Sequence, residues 1–161
     1  MTMPLTVKVA AQGETDIVIT RTFDAPRHLV FEAHTRPELV QRWLLGPDGW
    51  TMPVCEIDLR VGGGYRYVWH NTKTGKEMGL GGVFREISPP DRLVHTEKFD
   101  EAWYPGEAII TTVFTERSGV TTLTLTMHMG SREARDGVLK SGMERGLEAS
   151  YARLEEMVGR S

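Results

Sequence analysis

Two periodicities divide the chain. In its middle, apolar and aromatic residues recur at alternate positions in short runs bounded by Gly, Pro, Asn, Asp and Ser. Such runs are half-buried strands. From Ser131 onward the spacing lengthens to three or four. Leu139, Met143, Leu147, Tyr151, Leu154 and Val158 then form one stripe of a helix. The β-branched run 17–23 predicts a first strand. Asp24-Ala25-Pro26 predicts a helix start, with a capping carboxylate and a proline in the first turn. Thr35-Arg36-Pro37-Glu38 has the spacing of a capping box and opens a second short helix through Trp43, which Gly46-Pro47-Asp48-Gly49 stops. Strands are expected over 55–59, 65–69, 82–87, 93–99, 109–116 and 120–129, with hairpin turns at 71–75 and 117–119.

Short strands in sequence joined by tight turns predict an antiparallel meander. The terminal helix would run about 20 residues, or roughly 30 Å. A curved sheet is its only large partner surface, and a sheet wrapped around one helix encloses a space that is either filled or a pocket. Gly142 and Gly146 interrupt the helix beside its apolar stripe, which predicts a close approach of backbone or ligand. Residues 1–15 are a weakly patterned N-terminal segment, expected to fray in part. Residues 16–161 are expected to form a single domain.

Composition narrows the field. The chain has 161 residues, which suits one core. No run of about 18 apolar residues predicts a membrane span, and no signal-peptide pattern opens the chain. The single Cys55 excludes an internal disulfide and a Cys-rich metal site, and a reducing cytoplasm is the default expectation. With 19 basic and 22 acidic residues, the net charge of −3 argues against a general nucleic-acid binder.

The chemistry-bearing residues fall in the middle strands. Tyr65, Tyr67 and Trp69 share one strand face, and Leu123, Leu125, Met127 and Met129 share another; Met143 and Leu147 face the sheet from the helix. They line a pocket for a flat or flexible apolar molecule, or they are ordinary core. His95 and Glu97 share a face with Phe99. Turned inward they are candidates for general acid–base chemistry or for binding a polar ligand group. Turned outward they are a solvated pair, and the opposite phase of Val94 and Thr96 also suits burial. They lack a third ligand in any metal-binding spacing, so no metal is expected.

His70 and His128 fall in the outward phase, and His28 and His34 carry no partner pattern. Cys55 reads as a structural thiol rather than a nucleophile. The glycines at 62–64 and 79–82 lack the helix and Lys-Ser/Thr of a phosphate loop, and serve a bent sheet instead. Trp103-Tyr104-Pro105-Gly106-Glu107 is a lid, an interaction patch or a homodimer contact.

Six motifs in order carry a resemblance. They are Arg21-x-Phe23-Asp24-Ala25-Pro26; Trp43 with Gly46-Pro47; and Ile57-Asp58-Leu59-Arg60-Val61-Gly62-Gly63 with Tyr65-Arg66. Next come Gly82-Val83-Phe84-Arg85-Glu86-Ile87; Thr121-Thr122-Leu123-Thr124-Leu125; and Gly142-Met143-x-x-Gly146. Over residues 16–158 the chain resembles the Hsp90-ATPase-activator homologue (AHSA1-type) branch of the START/Bet v 1-like superfamily. Leu44-Leu45 stands where that family often has a second aromatic. The resemblance implies an α+β helix-grip fold: a curved antiparallel sheet of about seven strands around a long C-terminal helix, with two short helices after the first strand. Trp43 and Phe84 join the candidate ligand-binding residues on this ground, alongside Tyr65, Tyr67, Trp69, His95, Glu97, Phe99, Trp103, Met127, Met129, Met143 and Leu147.

The superfamily includes carriers, cyclases, receptors and co-chaperones, so the fold implies a cavity and not a reaction. The leading expectation is a carrier or sensor of a small apolar or amphipathic molecule, without a cofactor. A cofactor-free cyclase, hydratase or hydrolase using His95 and Glu97 is the alternative. A chaperone partner follows from the family name alone.

Overall fold

The computed structural model describes residues 6–102, 104 and 106–159. The chain begins with strands β1 (Lys8–Gln12) and β2 (Asp16–Phe23), followed by helices α1 (Arg27–Thr35) and α2 (Pro37–Trp43). A run of strands follows: β3 (Trp50–Ile57), β4 (Gly64–Asn71), β5 (Glu77–Ser88), β6 (Arg92–Phe99), β7 (Ala108–Arg117) and β8 (Val120–His128). Helices α3 (Arg132–Lys140) and α4 (Met143–Val158) close the chain. All eight strands form one antiparallel sheet in the order β1-β2-β8-β7-β6-β5-β4-β3. The α+β helix-grip expectation holds, with one strand more than expected. None of the helices among the described residues is long and apolar enough to cross a membrane.

The extra strand lies in the segment expected to fray. β1 pairs with β2 from Lys8↔Thr20 to Gln12↔Asp16. Its side chains are largely exposed, so periodicity carries no trace of it; backbone pairing at a sheet edge holds it. β2 shows the opposite, with strict alternation that buries Ile17, Ile19, Arg21 and Phe23. Arg21 is carried inward by that phase, and Glu155 of α4 meets it at 3.0 Å.

The terminal helix departs from expectation. It is two helices, broken at Ser141-Gly142, where Gly142 adopts φ +83°. Only a residue without Cβ takes that conformation at no cost. Gly146 behaves as expected for a close approach: a Cβ there would stand 3.6 Å from Pro47 Cδ and 3.9 Å from Gly46 Cα. The loop after α2 is tied to α4 at the same level. The Gly46 N–H donates to Ser150 Oγ (2.9 Å), and Arg153 Nη1 donates to the Gly46 carbonyl (2.7 Å).

Helix starts also differ in detail. Ser131 caps α3 as its sequence suggests, accepting from the Ala134 N–H at 3.1 Å. Asp24 does not cap α1. The Arg27 N–H is taken instead by Glu116 Oε1 from β7 at 2.8 Å, a tertiary substitute for a local cap. The capping box at Thr35 does not form because Thr35 still belongs to α1, where its hydroxyl donates to the Phe31 carbonyl at 3.1 Å. Pro37 opens α2 without needing an N–H partner.

Candidate functional site

Between the sheet and the helices lies a cavity of about 250 Å³. β4 contributes Tyr65, Tyr67 and Trp69; β5 Leu80 and Phe84; β6 His95, Glu97 and Phe99; β8 Leu125 and Met127. The helices contribute His34, Trp43, Met143, Leu147 and Tyr151. Thus eleven of the thirteen candidate residues border this one space: Trp43, Tyr65, Tyr67, Trp69, Phe84, His95, Glu97, Phe99, Met127, Met143 and Leu147. Met129 is elsewhere. It sits one residue past the end of β8, fully buried in the main core, and its N–H donates to the Thr15 carbonyl at 3.0 Å. Trp103 lies outside the described residues.

The aromatic wall is built from strand phase. Alternation along β4 sets Tyr65 against Tyr67 (centroids 5.1 Å apart, planes tilted by 51°) and Tyr67 edge-on to Trp69 (5.9 Å, 76°). Across β5 stands Gly82, where a Cβ would come within 1.9 Å of the Thr96 carbonyl oxygen on β6. The missing side chain lets the Tyr65 hydroxyl span β5 and donate to that carbonyl at 2.6 Å. The two indoles on the wall have their N–H groups occupied. Trp43 donates to the Ala33 carbonyl (2.8 Å) and Trp69 to the Leu44 carbonyl (2.7 Å). Leu44 itself lines the cavity, so the departure from a second aromatic leaves room that an indole or phenyl ring would occupy.

The β6 phase resolves inward for the titratable pair. His95, Glu97 and Phe99 face the cavity, while Thr96 is buried on the other face against β5. His95 and Glu97 are not paired to each other. His95 Nδ1 lies 3.1 Å from the Tyr65 hydroxyl oxygen and 3.2 Å from the Thr96 carbonyl. The Tyr65 proton is already committed to Thr96, so Nδ1 carries a proton and donates to these two oxygens, leaving Nε2 as an acceptor. Burial holds the imidazole below its ordinary pKa, against the opposing pull of the Thr96 carbonyl.

Glu97 is half-buried and borders both this cavity and an adjoining outer space. Burial pushes its carboxyl up to about 7. No hydrogen bond or ion pair engages it among the described residues.

One contributor had no legible pattern in the sequence. His34 on α1 lines the cavity, packed on Trp43 (4.8 Å) and Phe114 (5.2 Å). Its Nδ1 donates to the Val30 carbonyl at 2.8 Å, and its Nε2 is buried without a partner. Burial lowers its pKa to about 4, with the Val30 carbonyl opposing and His95 adding to the fall. Spacing with the buried Val30 four residues earlier is the one sequence signal that could have placed it inward. His28 and His128 are exposed, and His128 pairs with Asp16 at 2.7 Å. Cys55 is half-buried, its thiol pushed up to about 11 mainly by burial, so it is a poor nucleophile.

A second, larger space of about 690 Å³ adjoins the first. Glu97, Phe99, Met127 and Met143 border both. Its outer lining is charged: Arg66, Lys76, Glu77, Asp100 and Glu101. Arg66 and Asp100 engage each other through two bonds of 2.7 and 2.6 Å. No group of three or more His, Cys, Asp or Glu among the described residues is arranged to hold a metal.

Comparison with known proteins agrees with the fold. A family model described as activator of Hsp90 ATPase homolog 1-like protein matches residues 24–159. A crystal structure of a protein from Rhodobacter sphaeroides is 32% identical, with a TM-score of 0.88, covering 94% of this chain and 97% of that one. A protein from Chromobacterium violaceum is 26% identical (TM-score 0.78), covering 91% and 99%. An HSP90 activator from Plasmodium falciparum is 22% identical (TM-score 0.64), covering 89% and 95%; at that identity the likeness is one of fold. No curated protein matches the chain.

Proposed function

The chain belongs to the activator of Hsp90 ATPase homolog 1-like family, and we propose that it is a carrier or sensor of a small apolar or amphipathic molecule held between sheet and helices. The observation that carries this reading is the cavity of about 250 Å³ walled by Tyr65, Tyr67, Trp69, Phe84 and Phe99. Such a space, mostly apolar with a few converging polar groups, is the usual form of a small-molecule site. Leaving it empty forfeits dispersion contacts that an occupant restores. Mass spectrometry of an organic extract of the purified protein tests the reading directly. A bound small molecule supports it. A clean extract, together with indole fluorescence unmoved by a neutral probe such as butylbenzene, overturns it. The cytoplasm fits this reading, since a lone thiol needs no oxidising compartment.

A second reading, cofactor-free acid–base catalysis, is favoured by Glu97. A carboxyl near 7 exists in both forms at neutral pH, beside a neutral imidazole in the same cavity. On that reading Glu97→Gln abolishes turnover of an identified substrate while the fold is kept; unchanged turnover removes the role. Regulation of Hsp90 enters only through the family's description and the likeness to the Plasmodium HSP90 activator. A chaperone ATPase rate that does not respond to added protein disposes of it.

A further inference from the structure

The polar groups of the cavity describe their missing partner. Among the described residues its lining holds no lysine or arginine. The two imidazoles are neutral and present or retain acceptor nitrogens, and His34 Nε2 has no donor facing it. Both indole N–H groups are spent on backbone carbonyls. The hydroxyls of Tyr67 and Thr112 can give or take a proton. Glu97 is a part-buried carboxyl that no hydrogen bond or ion pair engages among the described residues. The inventory is therefore weighted toward acceptors. It suits an occupant that donates hydrogen bonds, and it lacks any cation to neutralise a carboxylate or phosphate.

The surroundings add two independent features. Glu97 shares the cavity wall with the rings of Tyr65 and Tyr67, Phe99 follows it on the same strand face, and Trp69 continues the ring row. Aromatic faces beside a carboxylate attract organic cations. The adjoining outer space carries three acidic side chains (Glu77, Asp100, Glu101) against two basic ones (Arg66, Lys76). Its field favours the approach of cations over anions.

We propose that the occupant is an organic amine with an apolar body, its ammonium seated on the Glu97 carboxylate among the rings of Tyr65, Tyr67 and Phe99, and its apolar part directed toward Trp43 and Tyr151. The inference rests on the carrier reading and specifies its ligand class. No covalent step is involved. The bound ammonium supplies the counter-charge that the buried carboxylate lacks, so binding takes the deprotonated form of Glu97 and releases its proton to solvent. The other titratable groups around the cavity are His34 from α1, His95 from β6, Tyr65 and Tyr67 from β4 and Tyr151 from α4, with Tyr104 near Glu97 from the loop before β7. The imidazoles are held neutral and the phenols are held above their ordinary range, so Glu97 is the group that titrates near neutrality.

The test is a calorimetric titration with three matched probes, 4-phenylbutylamine, 4-phenylbutanol and 4-phenylbutyrate, and with butylbenzene as the uncharged reference. The amine is expected to bind at least tenfold tighter than the alcohol, and the carboxylate weakest. Between pH 6 and 8 the amine should gain about tenfold as Glu97 loses its proton, while the alcohol does not. Glu97→Gln should bring the amine down to the level of the alcohol and leave the alcohol within about twofold. Equal binding of the carboxylate and the amine overturns the proposal, as does an amine-to-alcohol ratio that ignores pH in the native protein. Butylbenzene binding without amine preference overturns the ligand class and leaves the carrier reading standing. No binding of any probe, butylbenzene included, overturns both.

Discussion

One end of this molecule is filled and the other is hollow, although both are made of the same kinds of residue. At the filled end β2, β7 and β8 present Phe23, Phe114 and Leu123 to α1 and α4, and all three are essentially inaccessible. At the hollow end β4, β5 and β6 present Tyr65, Leu80, Phe84 and Phe99, which form a separate small cluster. Helices α1, α3 and α4 pack on β2, β7 and β8, α2 packs on β3 at the far edge and meets α4, and the stretch between, β4–β6, has no helix packed closely on it. The sheet is wider than the helix layer that fills it. Residue hydrophobicity does not distinguish core from cavity wall; the reach of the opposing helix does.

Stability should expose the contrast most strongly. Phe114→Ala should cost about 3–5 kcal/mol, because its neighbours are packed on every side. Phe99→Ala should cost less than about half of that, since Phe99 already borders open space. Chemical denaturation of both variants checks the difference, and equal costs would break the distinction between the two ends.

The pH dependence of stability sharpens it. The Glu97 carboxyl is raised from 4.5 to about 7 by burial in the folded state. Its contribution is fully present below about 4.5 and is lost as pH rises through 7, because the folded state then holds a costly buried charge. His34 works in the opposite direction. Its pKa falls from 6.5 to about 4, so stability rises with pH across that window. The difference in stability between Glu97→Gln and the native protein should therefore grow in favour of the variant from pH 4.5 to 7. A flat difference, measured by denaturant midpoints, places Glu97 in solvent.

Filling is a gentler perturbation. Leu147→Trp puts added volume into the space it borders and should change stability by less than about 1.5 kcal/mol while abolishing binding of butylbenzene. A variant that still binds the probe at native strength locates the probe outside this cavity. The smallest effects separate two glycines that the sequence presents alike. Gly142→Ala should lose about 1 kcal/mol, since its φ of +83° suits only glycine. Gly146→Ala should be neutral or gain up to about 1 kcal/mol, because a Cβ there meets Pro47 at ordinary contact distance. Thermal melts resolve the pair.

Much of this was legible from the chain. The period-two runs place the strands of the sheet, and the shared phase of His95, Glu97 and Phe99 puts them on one face. The direction of that face was not legible, because Thr96 on the opposite phase is also buried, against the glycines of β5. β1 escaped notice because its pairing is a backbone matter and its side chains lie mostly exposed. His34 escaped because a single histidine on a helix of nine residues has no pattern of its own. Asp24 misled because Glu116, distant in sequence, took the helix-end N–H of Arg27, and Thr35 because α1 runs through it, so that its hydroxyl bonds the Phe31 carbonyl one turn back.

By itself the sequence determined the order of the strands from β2 to β8, the two short helices between β2 and β3, and which residues share a face along each strand. Those are local properties, set by residue type and by the repeat of helix and strand. Only the tertiary structure decided that α4 stops short of β4–β6, that Gly82 opens the way across β5, and that a carboxyl and two imidazoles share one unfilled space. These depend on how far apart two surfaces come to rest, a distance that no local repeat encodes.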